Sequence, residues 1–388
     1  MGSMRKQSAR TVAKAWSRGG CGDEVSSTPK GRASLSEHIT TVRNAAGVFF
    51  PLDQRLNLAS HSLTPATIVN AVSSGVEIPS YRRAARQFTQ LTHVALSASS
   101  LCRLVTAYGQ KLVGLQAAEA IAMVQVGKAE AEVIWRQVPE PDSECMNISL
   151  DGALIHLRDE GWKEVKVATV SAVTYEVDEE RGDWSMRLMK HSYRAGLWDA
   201  AEFAKQQWAE AAGRGVEKAS YVSSVNDGAP WIWNITRMCY AQCVEILDWW
   251  HAVQRLWTIG HQRFGAETAE AAAWVRVQKG LLAQSRLRQI VRNIRRLYPQ
   301  GQMVPDEVRK ALSYLIRNRA RMRYKEFRRA GYPIGSGSVE SGCKVVAQTR
   351  LKQAGMRWSR QGAQAVLVLR SFLLSDRWSH ATSLLGLT

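Results

Sequence analysis

The chain has 388 residues and a formal net charge of +18 at pH 7, a length that suits two or three domains. It contains no apolar run of about eighteen residues, which argues against a membrane span, and no N-terminal apolar stretch of signal-peptide type. The excess of positive charge predicts a polyanionic partner, above all a nucleic acid. The six cysteines form no CxxC pair, so we interpret them as reduced thiols of a cytoplasmic protein.

The N-terminal third of the chain is predicted to be helical and to bind DNA. Residues 1–46 are polar and basic and are expected to form a flexible arm. Within residues 47–140, a helix from about Ser80 to Leu91, a short turn and a helix capped by Ser97 outline a helix-turn-helix. Any two amphipathic helices give this outline, so simple packing is the alternative. The predicted DNA contacts of this region are Arg82, Arg83 and Arg103.

Residues 141–257 show the pattern of an α/β unit, with the order β-β-β-α-β-α-β-α. The first strand is predicted to end near Asp151, in "SLDGAL", and Asp227 follows the fourth strand, in "VNDGAP". Each Asp precedes a glycine, which allows a sharp turn. In a sheet of this order the first and fourth strands lie side by side. The two carboxylates are therefore expected to meet at one edge of the sheet.

Residues 258–330 are predicted to form a basic, all-helical insertion. Between residues 276 and 330 there are sixteen Lys and Arg residues against three acids. A charge this unbalanced repels itself unless an anion is near, so we favour phosphate contact over a merely solvated helical face. The predicted contacts in this block are Arg292, Arg295, Arg296, Arg317, Arg319, Arg321 and Arg323.

Residues 331–388 are predicted to return to the α/β unit through the stretch "GYPIGSGSVESGCK". Glu340 is the only acid between residues 327 and 375, in a segment with eight Lys and Arg residues. We place it in the first turn of a helix capped by Ser336 or Ser338. Three basic residues that follow are predicted to contact DNA phosphates rather than bases, namely Lys344, Arg350 and Lys352.

The three acids are expected to form a metal site. Two carboxylates that meet at a sheet edge repel each other and need a cation or a shared proton. Mg²⁺ prefers oxygen ligands of this kind, and a pair of ions about 3.5–4 Å apart serves in-line displacement at phosphorus. Taken singly, an Asp-Gly pair is more often a plain turn, and an acid in a first helical turn is explained by the helix dipole. The predicted catalytic residues and metal ligands are Asp151, Asp227 and Glu340.

The chain resembles the DDE transposases of bacterial insertion sequences, most closely those of the ISKra type. The resemblance covers roughly residues 47–378, and "GSGSVESGCK" with "RLKQAGMRWSRQGAQAVLVLR" carry it most specifically. It is supported by "PLDQRLNL", "LDGALIHLRDEGWKEVKVATV", "VNDGAPWIW" and "DWWHA". The family's acidic triad falls on Asp151, Asp227 and Glu340.

The resemblance implies an RNase H-like catalytic core, interrupted by an all-α insertion and preceded by a helical DNA-binding region. It implies cleavage of transposon ends and strand transfer into target DNA with Mg²⁺ or Mn²⁺, by a homo-oligomer in the bacterial cytoplasm near the nucleoid. His251 completes the family's motif "DWWH" and is predicted as a fourth catalytic residue that supports the site, although a structural histidine is the alternative. Trp274 lies where related enzymes stack a Trp on an extruded base, although core packing is the favoured interpretation.

Two other functions fit the same residues. One is a transposase-derived DNA-binding or regulatory protein that no longer cuts. The other is a structure-specific nuclease with the same core, such as a junction resolvase, which would cut branched DNA without needing particular end sequences. Intact acids give no sign of lost activity, so we favour the transposase.

Overall fold

The structure, a computed structural model, describes residues 63–124, 138–178 and 183–387. The predicted arm of residues 1–46 and the first part of the predicted DNA-binding region lie outside these ranges. Within these ranges three helices precede the sheet: α1 (Pro65–Glu77), α2 (Tyr81–Thr92) and α3 (Ala98–Val124).

Helices α2 and α3 begin where the capping pattern predicts. Helix α2 starts directly after Ser80 and ends at His93, which adopts the left-handed conformation with φ 58°. At the start of α3 the hydroxyl of Ser97 accepts a hydrogen bond from the N–H of Ser100 over 3.0 Å. This is the usual N-cap interaction, because it satisfies one N–H that the first helical turn leaves unpaired. The predicted cap at Ser97 is confirmed.

The centre of the molecule is a mixed sheet of five strands in the spatial order β3-β2-β1-β4-β5. The strands are β1 (Cys145–Leu157), β2 (Gly161–Asp178), β3 (Asp183–Gly196), β4 (Tyr221–Asn226) and β5 (Val244–Leu247). Strands β1, β2 and β3 pair antiparallel, whereas β4 runs parallel to both β1 and β5. The predicted α/β class and the neighbourhood of the first and fourth strands are confirmed.

Helices connect and cover the sheet. Those within and directly after it are α4 (Ala200–Gly213), α5 (Pro230–Cys239) and α6 (Trp249–Phe264). The predicted insertion contains α7 (Ala269–Ala283), α8 (Leu287–Leu297), α9 (Asp306–Arg317) and α10 (Tyr324–Arg329). The last helices are α11 (Gly337–Gly342), α12 (Thr349–Leu351), α13 (Arg360–Leu374) and α14 (Trp378–Leu384). A π-helical turn, Cys343–Gln348, joins α11 to α12.

Strand β1 does not end near Asp151, as the sequence pattern predicts, but continues to Leu157. The reason is its long antiparallel partner, since β2 pairs with β1 in unbroken register from Met146 to Leu157. Gly152 therefore lies inside a strand rather than in a turn. Only the second Asp-Gly pair turns sharply, because Gly228 has φ 93°.

Three hydrophobic clusters place the helices around the sheet. The first joins α1–α3 to β1, β2 and α13, so the N-terminal helices share a core with the sheet. The second packs the insertion helices against β5 and α6. In the third cluster, α4 and α5 pack against a different set of residues of β1 and β2. The insertion therefore packs beside the carboxyl ends of β4 and β5.

No helix in the described part of the chain combines the length and the apolar character that a membrane crossing requires.

Candidate active site

The carboxyl end of β4 lies beside the middle of β1 and brings two acids to one place. The regular β1–β4 ladder stops at the pair Asn147 and Ser223. Beyond it, the buried side chain of Asn226 takes over, because its Oδ1 accepts a hydrogen bond from the N–H of Leu150 over 2.7 Å. Asp151 is the next residue of β1 and Asp227 directly follows β4, so this bridge holds the first two predicted acids near each other.

Asp151 is held by its own backbone and by a thiol. Its Oδ1 accepts a hydrogen bond from the N–H of Gly152 over 2.7 Å, and the thiol of Cys343 lies close enough to interact with its carboxylate. Burial raises the pKa of Asp151, and the charges of Asp227 and Glu340 raise it further, whereas the bond from Gly152 and the thiol of Cys343 lower it. The net shift is upward, so at neutral pH the ionised carboxylate is held in surroundings that disfavour it.

Asp227 begins a tight turn between β4 and α5. Its Oδ1 accepts a hydrogen bond from the N–H of Ala229 over 2.9 Å. Its backbone carbonyl accepts one from the hydroxyl of Tyr314, which belongs to α9 of the insertion. Among the described residues no hydrogen bond reaches its second carboxylate oxygen, and its backbone carbonyl is held by α9.

Glu340 lies in the short helix α11, as the sequence predicts. Its Oε1 accepts a hydrogen bond from the hydroxyl of Ser336 over 3.1 Å, and lies 4.0 Å from Nδ1 of His251. Ser336 occupies the predicted N-cap position, but its hydroxyl does not bond to the helix backbone. It turns instead to Glu340, whose side chain is 53% exposed.

Asp248 is a buried anchor that joins two segments of the site. Its Oδ2 accepts hydrogen bonds from the N–H of His251 over 2.8 Å and from Nδ1 of His251 over 2.9 Å. Its Oδ1 accepts one from the N–H of Ser336 over 2.7 Å. Burial alone would raise the pKa of Asp248, but these bonds hold it below its ordinary value. The hydrogen bond to Asp248 raises the pKa of His251, against the effect of its burial.

The tightest cluster of possible ligand atoms differs from the predicted triad. Across residues 63–124, 138–178 and 183–387, the ligand atoms of Asp248, His251 and Glu340 lie within 4.8 Å of one another, and no other group of three does so. Both oxygens of Asp248 already accept N–H groups, so we interpret Asp248 and His251 as a hydrogen-bonded pair that steers Glu340. The structure brings the segments of Asp151, Asp227 and Glu340 together without such close contact of their ligand atoms.

The three predicted acids have no cationic side chain as partner. Within the described ranges no Lys or Arg forms an ion pair with Asp151, Asp227 or Glu340, and only His251 approaches Glu340. Elsewhere acids are paired, as Glu210 is with Arg377 over 2.7 Å. On a chain with net charge +18, neighbouring carboxylates that are unpaired within the described ranges are suited to a bound cation.

The insertion presents one basic helical face. In α8 the buried side consists of Ile290 and Ile294. The spacing of the arginines on the other side places them one and two turns apart on a common face. No ion pair involving them occurs among the described residues, and each is exposed: Arg288, Arg292, Arg295 and Arg296. This face is suited to phosphate groups.

The other predicted DNA contacts fall into two groups: side chains that are exposed, and side chains held by ion pairs or hydrogen bonds inside the protein. Those that remain exposed are Arg82, Arg83, Arg103, Arg317, Arg319, Arg323, Lys344 and Lys352. Arg321 is engaged, because it forms an ion pair with Glu245 over 2.7 Å and covers the ring of Trp233 at 4.4 Å. Its predicted DNA contact is therefore replaced by a structural role.

Arg350 is also structural, contrary to the prediction, because it is only 1% exposed. Its guanidinium donates to the backbone carbonyl of Gly75 over 3.1 and 3.0 Å and to that of Pro79 over 3.0 Å. The rings of Tyr81 and Trp358 flank it at 4.5 and 4.9 Å. It thus ties the α12 segment to the end of α1 and the start of α2.

Arg350→Ala is expected to destabilise the protein rather than weaken DNA contact. The substitution leaves buried carbonyl groups without donors and opens a cavity, which together cost about 3 kcal/mol or more. Thermal melting should show a clear fall in Tm, while the folded variant at low temperature keeps the DNA affinity of the wild type. Lys352→Ala, at an exposed site two residues away, is the control and should leave Tm unchanged. A variant with normal Tm and weak DNA binding would restore the original interpretation.

The tryptophans near the site differ in exposure. Trp274 is partly buried against the second cluster and lies 6.4 Å from the ring of Phe264, so packing is its role here. Trp249 also packs, with its ring 5.0 Å from that of Tyr324. Trp250, by contrast, is 61% exposed, and Nζ of Lys279 lies 5.6 Å from its ring.

Sequence reasoning missed three residues that organise this site. Asn226 bridges the strands, Tyr314 braces Asp227, and Cys343 contacts Asp151. Asn226 and Cys343 lie within three residues of a predicted acid, so their position in the sequence was the only indication of their role. No local pattern marks Tyr314, because its contact depends on how α9 folds back.

The sequence matches no protein-family model and no curated protein.

Proposed function

We propose that the chain is a DDE transposase with an RNase H-like core, which cleaves DNA at transposon ends and joins it to target DNA. One observation carries this proposal. Two parallel neighbouring strands hold Asp151 and Asp227 side by side, and a returning helix adds Glu340, with no Lys or Arg paired to any of them in the described chain. Such a group in a strongly basic protein suits metal-assisted chemistry on a phosphodiester.

The donor set fits Mg²⁺ or Mn²⁺. All three predicted ligands offer oxygen, which these ions prefer. Burial and then the charges of Asp227 and Glu340 raise the pKa of Asp151, so its ionised form is disfavoured. A bound cation would stabilise that ionised form. Asp151, Asp227 and Glu340 would hold the ions. When bound, ions of this kind activate a water or a 3′-hydroxyl and stabilise the leaving oxygen.

The protein's other residues orient these acids. Asn226 keeps the two strands together at the point where their ladder has ended. Asp248 accepts the N–H of Ser336 and so fixes the start of the helix that carries Glu340. His251, held by Asp248, faces Glu340 and carries a raised pKa because of that hydrogen bond. A protonated His251 would pair with Glu340 or with a DNA phosphate.

The proposed partner is double-stranded DNA, both transposon inverted-repeat ends and target. The exposed arginine face of α8 supports this, as do the exposed Arg82, Arg83 and Arg103 of the N-terminal helices. Such contacts bind phosphates without reading sequence. By analogy with the family we propose that a homo-oligomer acts on paired ends, in the cytoplasm and close to the nucleoid.

The test is incubation of the protein with Mn²⁺ and DNA that carries the inverted repeats flanking its gene. Mapped nicks at the repeat ends, followed by joined products, are the expected result. Tight binding to the ends without any cleavage would favour the regulatory protein. Cutting of branched DNA that ignores the repeats would favour the structure-specific nuclease.

A further inference from the structure

One side chain on α9 of the basic insertion reaches the backbone of a predicted site acid. The hydroxyl of Tyr314 donates a hydrogen bond to the backbone carbonyl of Asp227. This contact links the helical block that presents α8 to the residue that ends β4. The backbone carbonyl of Asp227 is therefore held by α9.

The turn after Asp227 is built around that hydroxyl. Gly228 has φ 93°, and a Cβ added there would lie 2.7 Å from the Tyr314 hydroxyl and 2.8 Å from Cδ1 of Leu247. These distances are shorter than atoms tolerate. The chain therefore closes directly on Tyr314, which leaves no room for a side chain or for another donor between them.

Tyr314 is itself held at its ring and at its backbone. The guanidinium of Arg255, on α6, lies 4.6 Å from the ring centre. Nδ2 of Asn318 donates to the backbone carbonyl of Tyr314 over 3.0 Å, and the neighbouring Leu315 is fully buried in the second cluster. These contacts restrict the side chain that places the hydroxyl on the carbonyl of Asp227.

We propose that Tyr314 is a positioning residue that sets the backbone of Asp227 from the basic insertion. The proposal rests on the proposed function, since it assigns Asp227 to the site that acts on DNA. Its consequence is that the insertion does more than hold DNA. It also fixes one of the acids beside the scissile phosphate, so that the DNA-holding element and the acid keep a constant geometry.

Tyr314→Phe tests this inference cleanly, because it removes the hydroxyl and keeps the ring. The matched control is Tyr298→Phe, in the same helical block, since the Tyr298 hydroxyl is buried and has no hydrogen-bond partner among the described residues. Four quantities are measured for both: Mn²⁺ affinity without DNA by electron paramagnetic resonance of free Mn²⁺, kcat and KM for end cleavage, DNA affinity, and Tm.

Tyr314→Phe is expected to lower Mn²⁺ affinity and kcat by about threefold to tenfold, the range that loss of one hydrogen bond produces. KM for DNA and DNA affinity should stay within about twofold of the wild type, since no phosphate contact is lost. Tyr298→Phe should match the wild type in Mn²⁺ affinity and kcat.

Two results would overturn the inference while leaving the proposed function intact. One is equal behaviour of the two variants. The other is a lower Tm for Tyr314→Phe with unchanged Mn²⁺ affinity and kcat, which would make the contact merely structural. A wild type that neither binds Mn²⁺ nor cuts DNA is a different outcome, because it contradicts the proposed function and this inference with it.

Discussion

Asp151→Asn, Asp227→Asn and Glu340→Gln are each expected to abolish cleavage of end DNA while DNA binding stays close to that of the wild type. Each substitution keeps the shape of the side chain and removes one negative oxygen ligand. Because metal assistance is worth several kcal/mol, the rate should fall on the order of a thousandfold or more. Gel assays of cleavage with Mn²⁺, run beside binding by fluorescence anisotropy, measure both effects.

Asp151→Asn should also raise Tm when divalent ions are removed with a chelator. The folded state binds the Asp151 proton more tightly than the unfolded state does, because burial and then the charges of Asp227 and Glu340 raise its pKa. Stability therefore falls as pH rises from the unfolded pKa through the folded one, and stays reduced at neutral pH. Neutral Asn removes that penalty, so the variant should melt at a higher temperature than the wild type when no divalent ion is present.

The matched control is Asp159→Asn, at an exposed position in the turn between β1 and β2. It makes the same chemical change and should affect neither cleavage nor Tm. Added Mn²⁺ should stabilise the wild type and this control but not Asp151→Asn. Full cleavage by any of the three acid variants would remove that residue from the site.

Replacing Arg292, Arg295 and Arg296 together by Gln should make DNA binding weaker and less sensitive to salt. Each lost phosphate contact lowers the slope of log K against log salt by about 0.9, so three contacts correspond to about 2.7. We expect affinity at 0.1 M salt to fall on the order of tenfold to a hundredfold. The measurement is anisotropy with a labelled duplex over a series of salt concentrations.

The control is the double variant Arg309→Gln and Lys310→Gln, on α9 of the same insertion. These two side chains are exposed but already paired, Arg309 with Asp306 and Lys310 with Glu307. Their loss should change the slope little, because paired cations release few counterions. If the triple and double variants give the same slope, the face of α8 is a solvated surface and not a DNA contact.

The sequence allowed the order of strands and helices along the chain to be predicted, because this order depends on local patterns. Alternating apolar residues indicate strands, and a cap such as Ser97 is visible within four residues. The Asp-Gly turn at Asp227 was predictable for the same reason. At Asp151 the same dipeptide led to a wrong prediction of a strand end, because pairing with β2 overrides a local turn preference.

Long-range contacts account for what could not be predicted. Arg350 is buried by residues of α1 and α2 that lie far away in the sequence. A basic residue in a basic segment gives no hint of such a partner. Tyr314 likewise meets Asp227 only because the insertion packs against β5 and α6. Positions of this kind follow from the assembled core and not from spacing along the chain.

The π-helical turn Cys343–Gln348 determines how the residues on either side of it are rotated about the helix axis. It lies between two anchored points, Cys343 against Asp151 and Arg350 against α1. A π-turn is an α-helix with one residue added, and one residue turns a helix by about 100°. Deleting a single residue here would leave both anchors chemically intact, yet Glu340 and Arg350 could no longer face their partners together. In this segment the number of residues between Glu340 and Arg350 is constrained more strongly than their identity.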